Sequence, residues 1–264
     1  MQIENSQPIG VFDSGIGGLT VLEQLIKIFP HENFYYVADQ GYCPYGPRPA
    51  EYVCERVEKI TRHMVNEGVK AIVIACNTAS LRIASARAVT DIPVVSVIPP
   101  TCMRAVETTK NKKVAVLATQ ATINSGTYQN MLKENGVTPV PLACGEFVDF
   151  LENDDLDNPY AYKLVADKLA SIKDEGFDTL IHACTHFSLL EPQMRAVLGD
   201  INYVNCGTPT GEYLKKYFDE NNLATNATEK GRVRIFTTGE VDGALRTMRW
   251  FKAEHDPVAH VDIK

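Results

Sequence analysis

The chain has 264 residues, of which 45% are hydrophobic, so it is long enough for one large domain or two of ordinary size. Its net charge of −7 argues against a nucleic-acid-binding protein, which needs a basic surface, and no segment has the apolar length of a membrane span. A polar N-terminus without a signal peptide, together with seven cysteines, predicts a cytoplasmic protein with reduced thiols and no membrane partner.

Short apolar segments alternate with longer helical patterns in the first part of the chain. The predicted strands are 8–13, 34–38, the segment that ends at Cys76, and 94–98. Apolar residues at helical spacing predict helices after the turn at 15–18, at 51–67 and at about 79–89. Prolines bracket the strand at 94–98, and we place a crossing between two halves of the molecule there.

The same alternation restarts beyond this crossing. The predicted strands are 113–119, 137–142 and the segment that ends at Cys184, with helices that include 128–132 and about 160–175. A polar linker at 221–230 precedes a strand at 232–236 and a helix at 241–251. Since the second half already has its full set of elements, this tail is predicted to return to the first half. Strands that alternate with helices indicate an α/β fold with parallel βαβ units.

One ten-residue phrase occurs twice, and both copies end in cysteine. The first, EGVKAIVIAC, covers 67–76, and the second, EGFDTLIHAC, covers 175–184. The repeat predicts two similar halves, each with a thiol where a strand gives way to a helix, and a helix N-terminus favours the thiolate. Two thiols that face one substrate from opposite sides suit a reaction that removes a proton from one face and returns it to the other.

A lone cysteine at a strand end is more often a small buried hydrophobic residue than a reactive thiol. Two cysteines in matching repeats, each followed by polar residues, favour function instead. The remaining cysteines have no such context and are interpreted as structural: Cys43, Cys54, Cys102, Cys144 and Cys206. Cys184 and His186 could be two zinc ligands, but no third ligand is defined, so we expect no metal and a polar group that acts beside the thiol.

Two loops could contact a ligand. Residues 13–18, DSGIGG, form a turn between a strand and a helix whose N–H groups suit an anion and whose Asp13 could accept a hydrogen bond from an ammonium. The turn does not match the dinucleotide motif GxGxxG, and a plain tight turn is the alternative. Residues 44–47, PYGP, form a second, rigid loop after a strand that ends near Asp39, and a proline turn without function explains it as well.

In this order the motifs resemble those of the glutamate racemases, in the aspartate/glutamate racemase superfamily. The matching segments are GVFDSGIGGLTV at 10–21, PYGP at 44–47, ACNTAS at 75–80 and ACTHF at 183–187, with fainter matches at 121–125 and 237–239. Each segment alone is weak, but the ordered set spans almost the whole chain and is specific.

The resemblance implies two pseudo-symmetric α/β domains, each a mostly parallel sheet flanked by helices, with the active site in the cleft between them. We expect the first domain to comprise residues 1–98 and 210–264, and the second 99–209. It also implies an isomerase without a cofactor that interconverts L- and D-glutamate in the bacterial cytoplasm, supplies D-glutamate for peptidoglycan and cell shape, and forms a homodimer.

By the same resemblance, Cys76 removes the α-proton of D-glutamate, Cys184 removes that of L-glutamate, and Asp13 and His186 assist the two thiols. The residues expected to hold the substrate are Asp13, Ser14, Pro44, Tyr45, Gly46, Asn77, Thr78, Thr119, Thr185 and His186, with Glu152 and Asp39 behind them. Two alternatives stay open: a racemase of aspartate or hydantoin, and a non-catalytic protein that binds a dicarboxylate in the same cleft.

Overall fold

A computed structural model describes residues 4–153 and 158–264. In this part of the chain the strands are β1 (Ile9–Asp13), β2 (Phe34–Ala38), β3 (Ala71–Ile74), β4 (Val94–Ser96), β5 (Lys113–Ala118), β6 (Thr138–Ala143), β7 (Thr179–Ala183), β8 (Asn202–Val204), β9 (Val233–Thr237) and β10 (Ala259–His260). They form two parallel sheets, of order β10-β9-β2-β1-β3-β4 and β6-β5-β7-β8.

Helices cover both faces of each sheet. They are α1 (Leu19–Ile28), α2 (Ala50–Asn66), α3 (Asn77–Ser80), α4 (Ile83–Arg87), α5 (Ile98–Thr108), α6 (Gln120–Ser125), α7 (Thr127–Glu134), α8 (Gly145–Asn153), α9 (Tyr160–Leu169), α10 (Glu191–Leu198), α11 (Gly207–Asn221) and α12 (Val241–Thr247). Two 3₁₀ helices, Gln40–Tyr42 and Thr185–Leu190, complete the set. The predicted α/β fold of two mostly parallel sheets flanked by helices is confirmed.

The central strands are apolar on both faces because both faces are covered. In β1, Val11 packs with α1 and α11, whereas Phe12 packs on the opposite face with α2. In β5, Leu117 packs with α8, α9 and α10, and Val116 packs with α5 and α7. Four apolar layers therefore fix the two sheets, and the carboxyl ends of their central strands remain free for polar residues.

The repeated phrase is a structural repeat. Gly68 and Gly176 have φ angles of 77° and 74°, in the left-handed region that glycine adopts without strain. At the first copy this turn ends α2, because Gly68 N donates to Val65 O and Val69 N donates to Met64 O. Each glycine thus turns the chain into a central strand that leads to a cysteine.

The tail after the polar linker joins the first sheet. Strand β9 pairs in parallel with β2, in a register that aligns Phe34 with Val233 and Ala38 with Thr237, and β10 pairs with β9. The boundaries at 98/99 and 209/210 stay a prediction. In the described ranges, no helix has the length and apolar character needed to cross a membrane.

The structure corrects several predicted boundaries. The strand predicted at 94–98 ends at Ser96, and Pro99 and Pro100 lie in the first turn of α5, where a missing N–H costs no hydrogen bond. The helix predicted at 79–89 is two short helices, and the first ends at Ser80, whose Oγ donates back to Ile74 O at 2.9 Å. The helix predicted at 160–175 ends at Leu169, and the last helix ends at Thr247.

Candidate active site

The carboxyl ends of β1, β3, β5 and β7 face one cavity of about 220 Å³ in the cleft between the two sheets. Its walls come from both halves of the chain: Ser14, Pro44, Tyr45, Gly46, Pro47, Cys76, Asn77, Thr78, Thr119, Gln120, Gly145, Val148, Asp149, Cys184, Thr185 and His186. The two cysteines of the repeated phrase therefore face the same space.

Most residues predicted to bind the substrate line this cavity, but three predicted residues lie behind its wall. These are Asp13, Asp39 and Glu152. Five further residues line the cavity: Pro47, Gln120, Gly145, Val148 and Asp149. Pro47 belongs to the predicted loop at 44–47, and Gln120 directly follows the predicted Thr119. The other three lie on α8, whose sequence carries no motif that points to a ligand.

Cys76 caps the first turn after β3. Ala79 N donates to Cys76 Sγ, and Cys76 Sγ donates to Ser14 Oγ, both at 3.5 Å. Burial, and then the neighbouring carboxylate of Asp13, raise the pKa of Cys76 to about 12. The sequence predicts that a helix N-terminus stabilises the thiolate. Because α3 has a single turn, this stabilisation is smaller than the cost of burying the charge. Cys76 is a thiol at neutral pH.

Cys184 lies at one end of a polar chain that runs away from the cavity. Cys184 Sγ lies 3.9 Å from His186 Nδ1, and His186 Nε2 lies 2.7 Å from Glu152 Oε1. Burial lowers the pKa of His186, but its contacts with Cys184 and Glu152 outweigh burial and hold the pKa well above its usual value. Burial raises the pKa of Glu152, and the bond to His186 more than offsets this and lowers it. The pair is therefore an imidazolium and a carboxylate.

Asp13 is fully buried beneath Ser14 and Thr185 and is not part of the cavity wall. Its carboxylate accepts a hydrogen bond from Gly15 N at 3.0 Å and from Thr185 Oγ1 at 3.3 Å. Burial raises its pKa to about 6, although His186 and the N–H groups of the turn act in the opposite direction. Asp13 thus lies behind the residues that surround the thiols, and its predicted contact with a substrate ammonium stays a prediction.

The glycine-rich turn owes its composition to close packing. A Cβ on Gly15 would lie 2.7 Å from Glu152 Oε1, and a Cβ on Gly17 would overlap the ring of His186. Neither glycine has a positive φ. The turn of the first domain therefore supports the polar chain of the second, a role that differs from the anion site suggested by its sequence.

Contacts across the cleft hold the remaining polar residues. Thr78 Oγ1 and Thr119 Oγ1 are hydrogen-bonded at 3.0 Å. Tyr128 Oη donates to Asn77 Oδ1 at 2.8 Å, and Asn77 Nδ2 contacts Cys206 Sγ at 3.4 Å. The residues after Cys76 are thereby fixed by side chains of the second half.

The loop at 44–47 is anchored from behind by Asp39. The Cys43–Pro44 peptide is cis, and Tyr45 Oη donates to the Asp39 carboxylate, which Arg56 and Thr238 also contact. Asp39 thus holds a cavity residue without lining the cavity. In residues 4–153 and 158–264, no group of three His, Cys, Asp or Glu residues is arranged to hold a metal ion.

Asp13→Asn is expected to change how stability depends on pH. The pKa of Asp13 is raised from 3.8 to about 6 in the folded protein, so the stability it contributes is complete below about pH 3.8 and is lost as the pH rises through about 6. We expect the free energy of unfolding of the variant to exceed that of the wild type by up to about 3 kcal/mol at about pH 8. At about pH 4 the two free energies should be equal. Urea unfolding at both pH values measures this, with Asp91→Asn at an exposed aspartate as control. A difference that is the same at both pH values would contradict it.

The chain matches the protein family described as Asp/Glu/Hydantoin racemase over residues 30–207. It is 37% identical over 262 residues to the glutamate racemase of Shouchella clausii, which covers 98% of this chain and 95% of that protein. Its structure is similar to that of a glutamate racemase isoform from Bacillus anthracis, with a TM-score of 0.93, 32% identity and coverage of 98% and 99% of the two chains. The glutamate racemase of Francisella tularensis, solved in complex with D-glutamate, is 26% identical with a TM-score of 0.89 and coverage of 98% and 99%.

Proposed function

The chain belongs to the Asp/Glu/Hydantoin racemase family and is an amino-acid racemase, an isomerase, and we propose that it interconverts L- and D-glutamate with two cysteine thiols and no cofactor. The observation that carries this proposal is the position of Cys76 and Cys184, at equivalent strand ends on a single cavity. The relatives that match nearly the whole chain are glutamate racemases, which favours glutamate over aspartate or hydantoin.

The two thiols have different neighbours, and we propose that they start in different protonation states. Cys76 is a thiol because burial raises its pKa. The imidazolium of His186 lies 3.9 Å from Cys184 Sγ and stabilises a thiolate there. One acid and one base thus face the cavity together, which a two-base racemisation requires.

In the L-to-D direction the thiolate of Cys184 takes the α-proton of L-glutamate, and the electron pair of the broken C–H bond stays on the α-carbon and its carboxylate. Cys76 then gives its S–H proton to the opposite face. This leaves D-glutamate, a thiol on Cys184 and a thiolate on Cys76. In the other direction the same steps run in reverse, so Cys76 takes the proton of D-glutamate.

The carbanion needs stabilisation by fixed dipoles, because it forms beside a carboxylate. Hydroxyl groups of Ser14, Thr78, Thr119 and Thr185 surround the cavity. Thr185 donates a hydrogen bond to Asp13, and Thr78 and Thr119 are bonded to each other, so most of these hydroxyls are fixed in place. We propose that these groups hold the substrate's amino and carboxylate groups together with Asn77, His186 and the loop of Pro44, Tyr45 and Gly46. A substrate contact of Asp13 stays a prediction.

The residues around the cavity support a reaction without pyridoxal phosphate. A Schiff base needs a lysine, and among the described residues none of those that line the cavity is a lysine. Lys70, in the first repeated phrase, is buried in an ion pair with Glu32 instead. We further propose that the protein acts in the bacterial cytoplasm and supplies D-glutamate for peptidoglycan; the homodimer stays a prediction.

Incubation with L-glutamate in deuterium oxide tests the proposed function. We expect solvent deuterium at the α-carbon and a loss of optical rotation until both enantiomers are equal. Parallel incubations with L-aspartate and with a 5-substituted hydantoin decide the substrate. Glutamate that binds without exchange would show a binding protein, and faster turnover of aspartate or hydantoin would assign the related activity.

A further inference from the structure

Arg56 joins the cavity loop to a distant part of the chain. It lies on α2, is 3% exposed, and donates to both carboxylate oxygens of Asp39, from Nε at 3.0 Å and from Nη2 at 2.8 Å. The same carboxylate accepts the hydroxyl of Tyr45, which lines the cavity. A single buried carboxylate therefore connects the arginine to a residue that faces the substrate.

The third nitrogen of the guanidinium is held by the segment 258–264. Arg56 Nη1 donates to Ile263 O at 2.7 Å, and the side chain of Ile263 packs in the apolar layer on the α2 face of the first sheet. The guanidinium carbon also lies 3.5 Å from the centre of the Tyr42 ring. The guanidinium is thus held by Asp39 on one side, by the carbonyl of Ile263 on another and by the ring of Tyr42.

This geometry suits positioning better than simple charge compensation. A buried carboxylate needs a cation, but a lysine would supply one charge without a planar fork that bonds two oxygens and a carbonyl together. The fork fixes the orientation of Asp39, and Asp39 in turn fixes the Tyr45 hydroxyl. A shift of the segment 258–264 would therefore reach the cavity through the four hydrogen bonds that link Ile263, Arg56, Asp39 and Tyr45.

We propose that Arg56 is a positioning residue for the substrate cavity, and that the carbonyl of Ile263 holds it in place so that residues 258–264 form part of the active site's support. The positioning role of Arg56 rests on the proposed function only where it predicts a change in glutamate turnover. The loop at 44–47 takes its position from Arg56 through Asp39 and Tyr45.

The chain offers an internal control for the loss of a buried ion pair. Lys70 and Glu32 are as deeply buried as Arg56 and Asp39, and Lys70 Nζ also donates to the carbonyls of Asn5 and Leu223. None of these four residues lines the cavity. Changes at this pair alter stability in the same domain without touching the Tyr45 loop.

Arg56→Lys keeps the charge and is compared with Lys70→Arg, the reverse exchange at the control pair. We expect Arg56→Lys to raise KM for glutamate about tenfold or more and to change kcat less, because the loop that holds the substrate shifts. Hydrogen exchange followed by mass spectrometry should show faster exchange in a peptide that covers residues 40–52. Lys70→Arg should leave both quantities at wild-type values.

The role of Ile263 is tested by a variant that stops after Val261 and by Ile263→Ala. Val261 N bonds to Thr237 O, so the shortened variant keeps the pairing of β10 with β9. It loses the carbonyl that Arg56 contacts, whereas Ile263→Ala loses only the side chain. We expect the shortened variant to reproduce Arg56→Lys, and Ile263→Ala to retain a KM near that of the wild type.

A wild-type KM together with wild-type hydrogen exchange in Arg56→Lys would overturn the proposal. Changes in KM and exchange of the same size in Lys70→Arg would also overturn it, because they would show general destabilisation. Equal effects in Ile263→Ala and the shortened variant would overturn the part played by the carbonyl. If the wild type does not racemise glutamate, the proposed function fails, and the exchange measurement alone then supports or overturns the positioning role.

Discussion

Replacement of either Cys76 or Cys184 by serine is expected to lower racemisation about 10²–10⁴-fold in both directions, because in the proposed mechanism each thiol is the acid or base for one face of the substrate. Serine keeps the size of the side chain and its hydrogen bonds but is a much weaker acid. Since two enantiomers have equal free energy, the equilibrium constant is one, and kcat/KM must fall by the same factor for L- and D-glutamate.

The remaining thiol in each variant should still exchange a proton on its own face. In deuterium oxide we expect Cys76→Ser to introduce deuterium into L-glutamate without inversion, and Cys184→Ser to introduce it only into D-glutamate. The raised pKa of Cys76 leaves little of it as thiolate at neutral pH, so we expect slow exchange into D-glutamate. Proton NMR of the α-position, followed by chiral chromatography, measures both reactions.

Cys54→Ser and Cys102→Ser are the matched controls, since these cysteines lie on α2 and α5, and neither lines the cavity. Both controls should racemise glutamate at the wild-type rate. Full activity in either Cys76→Ser or Cys184→Ser would refute the two-base mechanism. Exchange into the opposite enantiomer would reverse the assignment of the two faces.

The fold was accessible from sequence because its strongest signals are local. Apolar segments of strand length, as in β1 and β5, identify strands covered on both faces, and Gly68 and Gly176 mark the turns that lead into β3 and β7. Parallel strands carry their functional residues at one edge of a sheet. The position of both cysteines at that edge follows from these facts alone.

The protonation state of Cys76 was not accessible in the same way. A helix N-terminus is visible in a sequence, but burial depends on the packing of residues from both sheets around the thiol. The sequence pattern predicts a gain for the thiolate, whereas burial and the nearby Asp13 raise its pKa to about 12. Desolvation depends on how the cavity is packed in the folded protein, and it affects the pKa of the thiol more than a one-turn helix does.

Contacts between distant segments were also beyond local patterns. Glu152 contacts His186 because α8 packs on the 3₁₀ helix Thr185–Leu190. The spacing of apolar residues in α8 shows which face of the helix is buried, but it does not show which residue lies beyond its end. Resemblance placed Glu152 near the histidine, and the structure supplies the 2.7 Å contact. Val148 and Asp149 reach the cavity by the same packing and had no signal of their own.

His186→Asn is expected to lower kcat/KM about 10²-fold for both enantiomers, because the proposed mechanism needs an imidazolium beside Cys184 and the variant lacks it. Although burial lowers the pKa of His186, its contacts with Cys184 and Glu152 hold that pKa well above the usual value, so the charged form is present at neutral pH. Asparagine keeps a polar group near the thiol but carries no charge. His63→Asn, at a histidine bonded to Tyr35 away from the cavity, is the control.

The primary isotope effect identifies the face on which His186 acts. When proton transfer to and from Cys184 becomes the slowest step, cleavage of the α-C–H bond limits the reaction of L-glutamate, whereas reprotonation limits that of D-glutamate. Glutamate labelled with deuterium at the α-carbon should therefore show a larger isotope effect on kcat/KM as the L-enantiomer than as the D-enantiomer. The wild type should show a smaller difference between the two. A larger effect with D-glutamate would place the histidine with Cys76, and equal effects would show that it serves both thiols, so either result would contradict a polar chain dedicated to Cys184.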